Sequence, residues 1–242
     1  MRKESICCPP ANEALRRCGE ILSGVGLRVS DTYRNGMTHL IEPVPTPKGY
    51  PEEFLSRSDN PITICGGNID PSDYETHRVV DFLKDPYYLA ANAAITAEAA
   101  LGLVLKELKC EITSANILIL GWGRIGKCLT HQLHHLNARV TVYARKDADR
   151  AMLRALGYRY CTREELDRGL GRFCCVINTI PAPVLPADAA LRPGCLKLEL
   201  ASGLWLPGQD VVLAHGLPGR CKPEASGTLI AKTIAYHLGG KL

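Results

Sequence analysis

The sequence predicts an α/β protein in which a Rossmann-type, doubly wound parallel sheet follows a second, smaller N-terminal α/β domain. Three observations carry that expectation. Beyond residue 110, short apolar runs alternate with amphipathic helical stretches, the rhythm of parallel strands joined by crossover helices. The first of those runs leads directly into Gly121-Trp122-Gly123-Arg124-Ile125-Gly126, a glycine turn between a strand and a helix. The first 85 or so residues lack this rhythm and are punctuated by proline and glycine, as in a small, loop-rich unit.

Over residues 12–26, Ala14, Leu15, Cys18, Ile21, Leu22 and Val25 recur at helical spacing, and Gly24 and Gly26 close the run, so a helix is expected there. Apolar runs at 27–29, 39–44 and 62–65 read as strands, the second ending in Pro43-Val44-Pro45-Thr46-Pro47. Asp85-Pro86 reads as a turn. The helix expected at 96–108 has Glu98 early and Lys106 late, the charge order that the helix dipole favours. Strands at 116–120, 139–143 and 174–178 then alternate with helices at 125–136 and 147–156. Strands at 197–200 and 211–214 extend the sheet, and a helix at 226–238 closes the chain. The expected domains are residues 1–90, an interdomain helix at 91–109, the Rossmann domain at 110–225, and a C-terminal helix at 226–242 that returns to the N-terminal domain.

Composition narrows the class of protein. With 46% hydrophobic and 22% charged residues and a net charge of +4, the chain has an ordinary globular balance that gives no reason to expect nucleic acid or a membrane as partner. Residues 1–10 carry basic side chains without an apolar run after them, so no secretory signal is expected and a cytoplasmic location is. The apolar stretch at 90–105 is alanine-rich, interrupted by Glu98, and expected to be too short and too weakly hydrophobic to span a bilayer. Eleven cysteines, an odd number with no C-x-x-C spacing, argue against zinc or a disulfide framework. Those in apolar runs, such as Phe173-Cys174-Cys175-Val176, behave as small hydrophobes in a reducing compartment. His131, His134 and His135 have metal-like helical spacing but no supporting carboxylate; no metal is expected.

The glycine turn carries the chemistry. Gly121 permits the tight turn, Gly123 lets backbone approach a pyrophosphate, and Gly126 lets the helix lie close to the strand. Trp122, Arg124 and Ile125 complete the loop, and the unpaired N–H groups of the helix face the anion. At the end of the second strand, where an NAD site has a carboxylate for the ribose 2′-hydroxyl, the chain reads Ala144-Arg145-Lys146. Two cations there suit a 2′-phosphate, so NADP(H) is the expected cofactor, although such residues also populate ordinary solvated turns.

These residues resemble the family of the A subunit of dipicolinate synthase. The resemblance is carried by Asn92-Ala93-Ala94-Ile95-Thr96-Ala97-Glu98, the glycine turn, Ala144-Arg145-Lys146 and Val176-Ile177-Asn178-Thr179-Ile180-Pro181. It continues in Leu198-Glu199-Leu200-Ala201-Ser202 and Gly216-Leu217-Pro218-Gly219, followed by Pro223, Ser226 and Gly227. It covers the chain from about Tyr88 onward; before that it is thin, and the N-terminal domain reads as shortened. Where the family has Ala-Pro-Lys-Thr-Ala-Gly, this chain has Lys222-Pro223-Glu224-Ala225-Ser226-Gly227. The resemblance implies an NADP-dependent oxidoreductase that oxidises a dihydrodipicolinate-type heterocyclic dicarboxylate to dipicolinate in sporulation. It also implies a flavoprotein-like second subunit and self-association.

Further candidates follow from strand ends. Asn178, Thr179, Ile180 and Pro181, then Ala201 and Ser202, end apolar strands where open α/β sheets bind ligands. His215, with Gly216, Leu217 and Pro218 after it, is placed to shuttle a proton near the nicotinamide. Thr96 and Glu98 are expected to open the interdomain helix toward a substrate, and Ser226 and Thr228 to open the final helix; ordinary capping explains all four as well. Two other functions stay open: an NADP-dependent 2-hydroxy or 2-keto acid dehydrogenase using His215, and a non-catalytic NADP-binding scaffold or sensor.

Overall fold

The computed structural model describes residues 4–48 and 60–239. Met1, Arg2 and Lys3, at the head of the segment read as lacking a secretory signal, lie outside the described residues. The chain divides into two units, Met1–Asn92 with Pro218–Leu242, and Ala93–Leu217.

The first unit holds a parallel sheet of five strands: β1 (Ser5–Cys7), β2 (Arg28–Ser30), β3 (His39–Ile41), β4 (Thr63–Gly66) and β5 (Arg78–Asp81). Their order, β2-β1-β3-β4-β5, is that of a doubly wound fold in its own right. The loop-rich expectation is therefore corrected. Strands β2, β3 and β4 lie at or beside the runs read as strands, whereas β1 and β5 were not read as strands. Helix α1 (Glu13–Gly24) is capped by the Asn12 side chain, which accepts from Leu15 N at 2.9 Å, and it buries Leu15, Cys18 and Leu22.

Helix α2 (Pro86–Glu107) begins in the first unit and continues in the second. Asp85 and Pro86, read as a turn, are its start: Asp85 Oδ1 accepts from Tyr87 N at 2.8 Å and Tyr88 N at 3.2 Å, and proline fits the first turn, where no N–H is needed. At 22 residues, α2 is long and apolar enough to cross a membrane by length and composition. The shorter stretch read from sequence understated it. Its apolar residues have another use here, since Ala97, Ala99, Ala100 and Val104 belong to the core of the second unit.

The second unit is a six-stranded parallel sheet, β11-β10-β9-β6-β7-β8. Its strands are β6 (Asn116–Leu120), β7 (Arg139–Tyr143), β8 (Arg159–Cys161), β9 (Cys175–Asn178), β10 (Leu196–Glu199) and β11 (Val211–Leu213). The crossover helices are α3 (Arg124–His135), α4 (Asp147–Ala155) and α5 (Arg163–Gly169). The short β8 and α5 were missed, although Thr162 and Glu165 form a capping box that announces α5. This is the Rossmann strand order, with the switch point between β6 and β9. Ile117, Leu118, Ile119, Val176 and Ile177 are fully buried, as a central strand covered on both faces requires.

The chain ends with α6 (Leu217–Cys221) and α7 (Pro223–His237). In the first unit α7 packs on α1 at close range, because a Cβ at Gly227 would stand 2.4 Å from Ala14 O. Glycine at that position sets the helix separation.

Candidate dinucleotide-binding site

Parallel pairing aligns the strand ends that form the site. Leu120 is in register with Tyr143 and with Asn178, Asn178 with Glu199, and Glu199 with Leu213. Gly121, Ala144, Thr179, Leu200 and Ala214 therefore leave the sheet along one edge, the C-terminal edge where such folds take ligands.

At the switch point the backbone turns at Gly121 with φ +111°, a conformation that favours glycine, while Gly121 N still donates to Tyr143 O at 3.0 Å. A side chain there would also meet Thr179 Oγ1 at 2.5 Å. At Gly126 a Cβ would come within 2.3 Å of Gly121 O, so α3 can lie on the turn only without one. A Cβ at Gly123, by contrast, would meet nothing within 4 Å. Gly123 is also the N-cap of α3, makes no side-chain cap bond, and is followed by no acidic residue in the first turn. Open space beside Gly123 thus adjoins the positive end of a helix, whose first-turn N–H groups are the donor set a pyrophosphate needs. The dinucleotide fits this cradle by that test. Arg124 is exposed and Ile125 half-buried, whereas Trp122 is buried, edge-on to Tyr158 at 5.9 Å, with Lys127 Nζ 5.9 Å from its ring centre.

At the end of β7, Ala144 is buried and Arg145 and Lys146 are exposed. Arg150 on α4 holds this corner from behind: its guanidinium donates to Ala144 O at 2.9 Å and Arg145 O at 2.6 Å and pairs with Asp147. Sequence reading missed Arg150. Its signal was a third cation within one helical turn and a half of the basic pair.

Under the turn lies a hydrogen-bonded floor. Thr179 donates from both its backbone N (3.0 Å) and its Oγ1 (2.8 Å) to Leu120 O. The Asn178 amide is fixed by Ile180 on both sides, donating to Ile180 O at 2.9 Å and accepting from Ile180 N at 3.0 Å. Its Nδ2 also donates to Glu199 Oε1 at 2.8 Å. Glu199 is fully buried and accepts three further N–H groups: Ala201 at 3.2 Å, Trp205 at 2.9 Å and Leu206 at 3.0 Å. That carboxylate, another residue the sequence reading did not single out as a site, folds the loop after β10. Ala201 is buried there, while Ser202 is exposed and its carbonyl accepts from the Trp205 indole at 2.6 Å.

His215 follows β11 on the same edge and is half-buried; Gly216 turns at φ +64° and Leu217 starts α6. Pro181 is exposed past β9, and Pro218 falls in the first unit. Thr96 and Glu98 do not open a helix. They stand midway along α2, Thr96 buried and Glu98 exposed, because the Asp85 cap starts that helix earlier. Ser226 and Thr228 likewise lie inside α7, which starts at Pro223, and Thr228 Oγ1 donates back to Glu224 O at 2.8 Å. Of the three helical histidines, His131 contacts the Tyr158 hydroxyl at 3.1 Å and His134 packs edge-on against the Tyr158 ring. Among the described residues no group of three or more His, Cys, Asp or Glu is placed to hold a metal.

Strand order, switch point and glycine cradle define the class: a Rossmann-like α/β fold of the dinucleotide-binding type, with a second α/β unit. Comparison with known proteins is more particular. No family model matches the chain. It is similar to the A subunit of dipicolinate synthase from Bacillus subtilis (strain 168), 28% identical over 157 residues, a stretch that spans 61% of this chain and 53%, about half, of that protein. The crystal structure of the dipicolinate synthase A subunit from Bacillus halodurans superposes with a TM-score of 0.84 at 19% identity, covering 98% of each chain. The N-terminal unit thus has a counterpart in that structure, although the resemblance in sequence thins before Tyr88. A transhydrogenase from Sinorhizobium meliloti shares the fold more distantly, with a TM-score of 0.70 at 16% identity over 90% of this chain and 79% of that one. The two A subunits among these are of the family that the sequence resembles.

Proposed function

We propose that the chain binds NADP(H) and, as an oxidoreductase like the A subunit of dipicolinate synthase, oxidises a dihydrodipicolinate-type heterocyclic dicarboxylate to dipicolinate. The observation that carries this reading is the pairing of an open, glycine-built cradle with a β7 end that has Arg145 and Lys146 where an NAD site has a carboxylate. The first-turn N–H groups of α3 hold the pyrophosphate, and Gly121, Trp122, Gly123, Arg124, Ile125 and Gly126 shape the loop around it. Ala144 leaves room for the adenine ribose, whose 2′-phosphate Arg145 and Lys146 neutralise, with Arg150 keeping their backbone in place. Asn178, Thr179, Ile180, Pro181, Ala201 and Ser202 line the nicotinamide half, together with Gly216 and Leu217. When bound, the nicotinamide supplies hydride-transfer chemistry. His215 takes the proton that the ring releases as it becomes aromatic, and Thr96 and Glu98 position the substrate. The chain works in the cytoplasm of a sporulating cell, self-associates, and acts with a flavoprotein-like second subunit.

Titration with NADPH and NADH, read from quenching of Trp122 fluorescence, tests the cofactor. NADPH binds more tightly, and replacing Arg145 and Lys146 by alanine weakens NADPH at least about tenfold while leaving NADH nearly unchanged, as loss of charge-assisted contacts to one phosphate requires. Equal affinity for both nucleotides removes the argument from the basic pair. An ultraviolet assay for dipicolinate, with and without the second subunit, then tests the substrate. His215→Asn separates the competing readings: turnover of a 2-hydroxy acid lost with this variant favours a hydroxy-acid dehydrogenase, and NADPH binding without hydride transfer to any dicarboxylate favours a scaffold.

A further inference from the structure

Cys110 and Cys174 are 64 positions apart in sequence, yet their sulfur atoms stand 3.7 Å apart, with the Cys110 thiol donating to that of Cys174. Cys174 in turn donates to Asn116 O at 3.3 Å. All eleven cysteines are unbridged, and Cys7, Cys8, Cys18, Cys65, Cys161 and Cys175 are buried away from reagents. Cys110 is exposed, in the bend that joins α2 to β6, and Cys174 is half-buried immediately before β9. A disulfide needs a sulfur–sulfur bond of about 2 Å, and rotation of the exposed Cys110 side chain supplies the approach.

We propose that Cys110 and Cys174 are a reversible redox-modification site, which closes to a disulfide when a low-molecular-weight disulfide reaches Cys110. The Cys110 thiolate attacks one sulfur of the reagent, forming a mixed disulfide and expelling one thiolate. Cys174 then loses its proton and attacks the Cys110 sulfur, expelling the second reagent thiol. The two protein thiols are oxidised by two electrons and the reagent disulfide is reduced to two thiols. The order follows from the surroundings: Cys110 is exposed, whereas burial pushes the Cys174 thiol up. A disulfide of this kind in a reducing compartment is transient and responsive, not part of a structural framework.

The site is separate from the dinucleotide edge. Cys174 N donates to Asn116 O, the first residue of β6, so the pair sits at the N-terminal edge of the parallel strands while the glycine turn sits at their C-terminal edge. Closure ties the α2–β6 connection to the start of β9 and leaves the cradle untouched.

The test is to incubate the full chain with oxidised glutathione, alkylate it, digest it with trypsin without reduction and sequence the fragments by mass spectrometry. Fragment 110–124 is expected linked to fragment 173–197 through Cys174, with both thiols restored by dithiothreitol. Cys110→Ser is expected to slow loss of the Cys174 thiol at least about tenfold, because direct attack on a half-buried sulfur replaces exchange with a neighbour. It should leave NADPH affinity unchanged. Linkage of Cys174 to Cys195, persistence of Cys110 as the glutathione adduct, or equal Cys174 rates in the variant and the parent would each overturn the proposal.

Discussion

Replacing Glu199 by glutamine keeps the shape of a buried side chain while inverting half of its hydrogen bonding. Oε1 accepts from Asn178 Nδ2 and Ala201 N, and Oε2 accepts from Trp205 N and Leu206 N, so both oxygens face donors only. A glutamine amide must point its NH2 at one of these pairs. Asn178 cannot turn to receive it, because Ile180 holds both ends of the Asn178 amide. Two buried donors are left without acceptors, at about 1–3 kcal/mol each before relaxation, so a loss of about 2–4 kcal/mol is expected for Glu199→Gln. Glu199→Ala strands all four and costs about 3–5 kcal/mol, the range for a broken buried charge network. Urea unfolding read from Trp205 fluorescence measures both, and an unchanged slope would assign the loss to the native state. A loss below about 1 kcal/mol for Glu199→Ala would refute the reasoning, since the four bonds would then be worth no more than one.

Gly126→Ala tests the cradle: its Cβ, 2.3 Å from Gly121 O, must push α3 off the turn, so NADPH affinity measured by calorimetry should fall at least about tenfold while circular dichroism stays that of the parent. Glu42, fully buried after β3, gives a pH signature. Burial raises its carboxyl from 4.5 to about 7, with the Thr46 and Tyr74 side chains opposing the shift. Below 4.5 the group is protonated folded and unfolded; as pH rises toward about 7 the unfolded chain gives up its proton first, so stability falls across that window. The full cost above it is about 3 kcal/mol, which Glu42→Gln should recover at pH 8 and not at pH 4 in chemical denaturation. Equal effects at both pH values would exclude the carboxyl as the cause.

The second unit was legible because long, strongly apolar strands and helices with whole turns leave a period that sequence alone displays. Strands β6 and β7 fall where the alternation puts them, at Asn116–Leu120 and Arg139–Tyr143. The first unit was legible in part: α1 and strands β2, β3 and β4 fall at or beside the runs at 12–26, 27–29, 39–44 and 62–65, while β1 and β5 were not read as strands. Helix starts failed for a physical reason. A cap followed by proline at the first helical position looks the same in sequence as a turn, and at Asp85-Pro86 only the side-chain bonds to Tyr87 N and Tyr88 N distinguish them. Moving that start removes the capping argument for Thr96 and Glu98 and leaves any role of theirs to rest on the middle of α2.

In the candidate site, the glycine spacing could be read because each glycine answers to a local steric demand. The floor could not, because it joins residues from different strands. Two of the runs that carry the family resemblance, Val176-Ile177-Asn178-Thr179-Ile180-Pro181 and Leu198-Glu199-Leu200-Ala201-Ser202, look independent in sequence. They are one structure: the Asn178 amide meets the Glu199 carboxylate at 2.8 Å, and Thr179 Oγ1 reaches Leu120 O beneath the glycine turn. A buried carboxylate saturated with four N–H donors has no lone pair to spare for a substrate proton, so Glu199 is a positioning residue and not an acid or base. The resemblance in these runs thus reports the support of a dinucleotide edge more directly than it reports the chemistry done there. This is why the cofactor can be argued from this chain's own residues, while the dicarboxylate must be tested by assay.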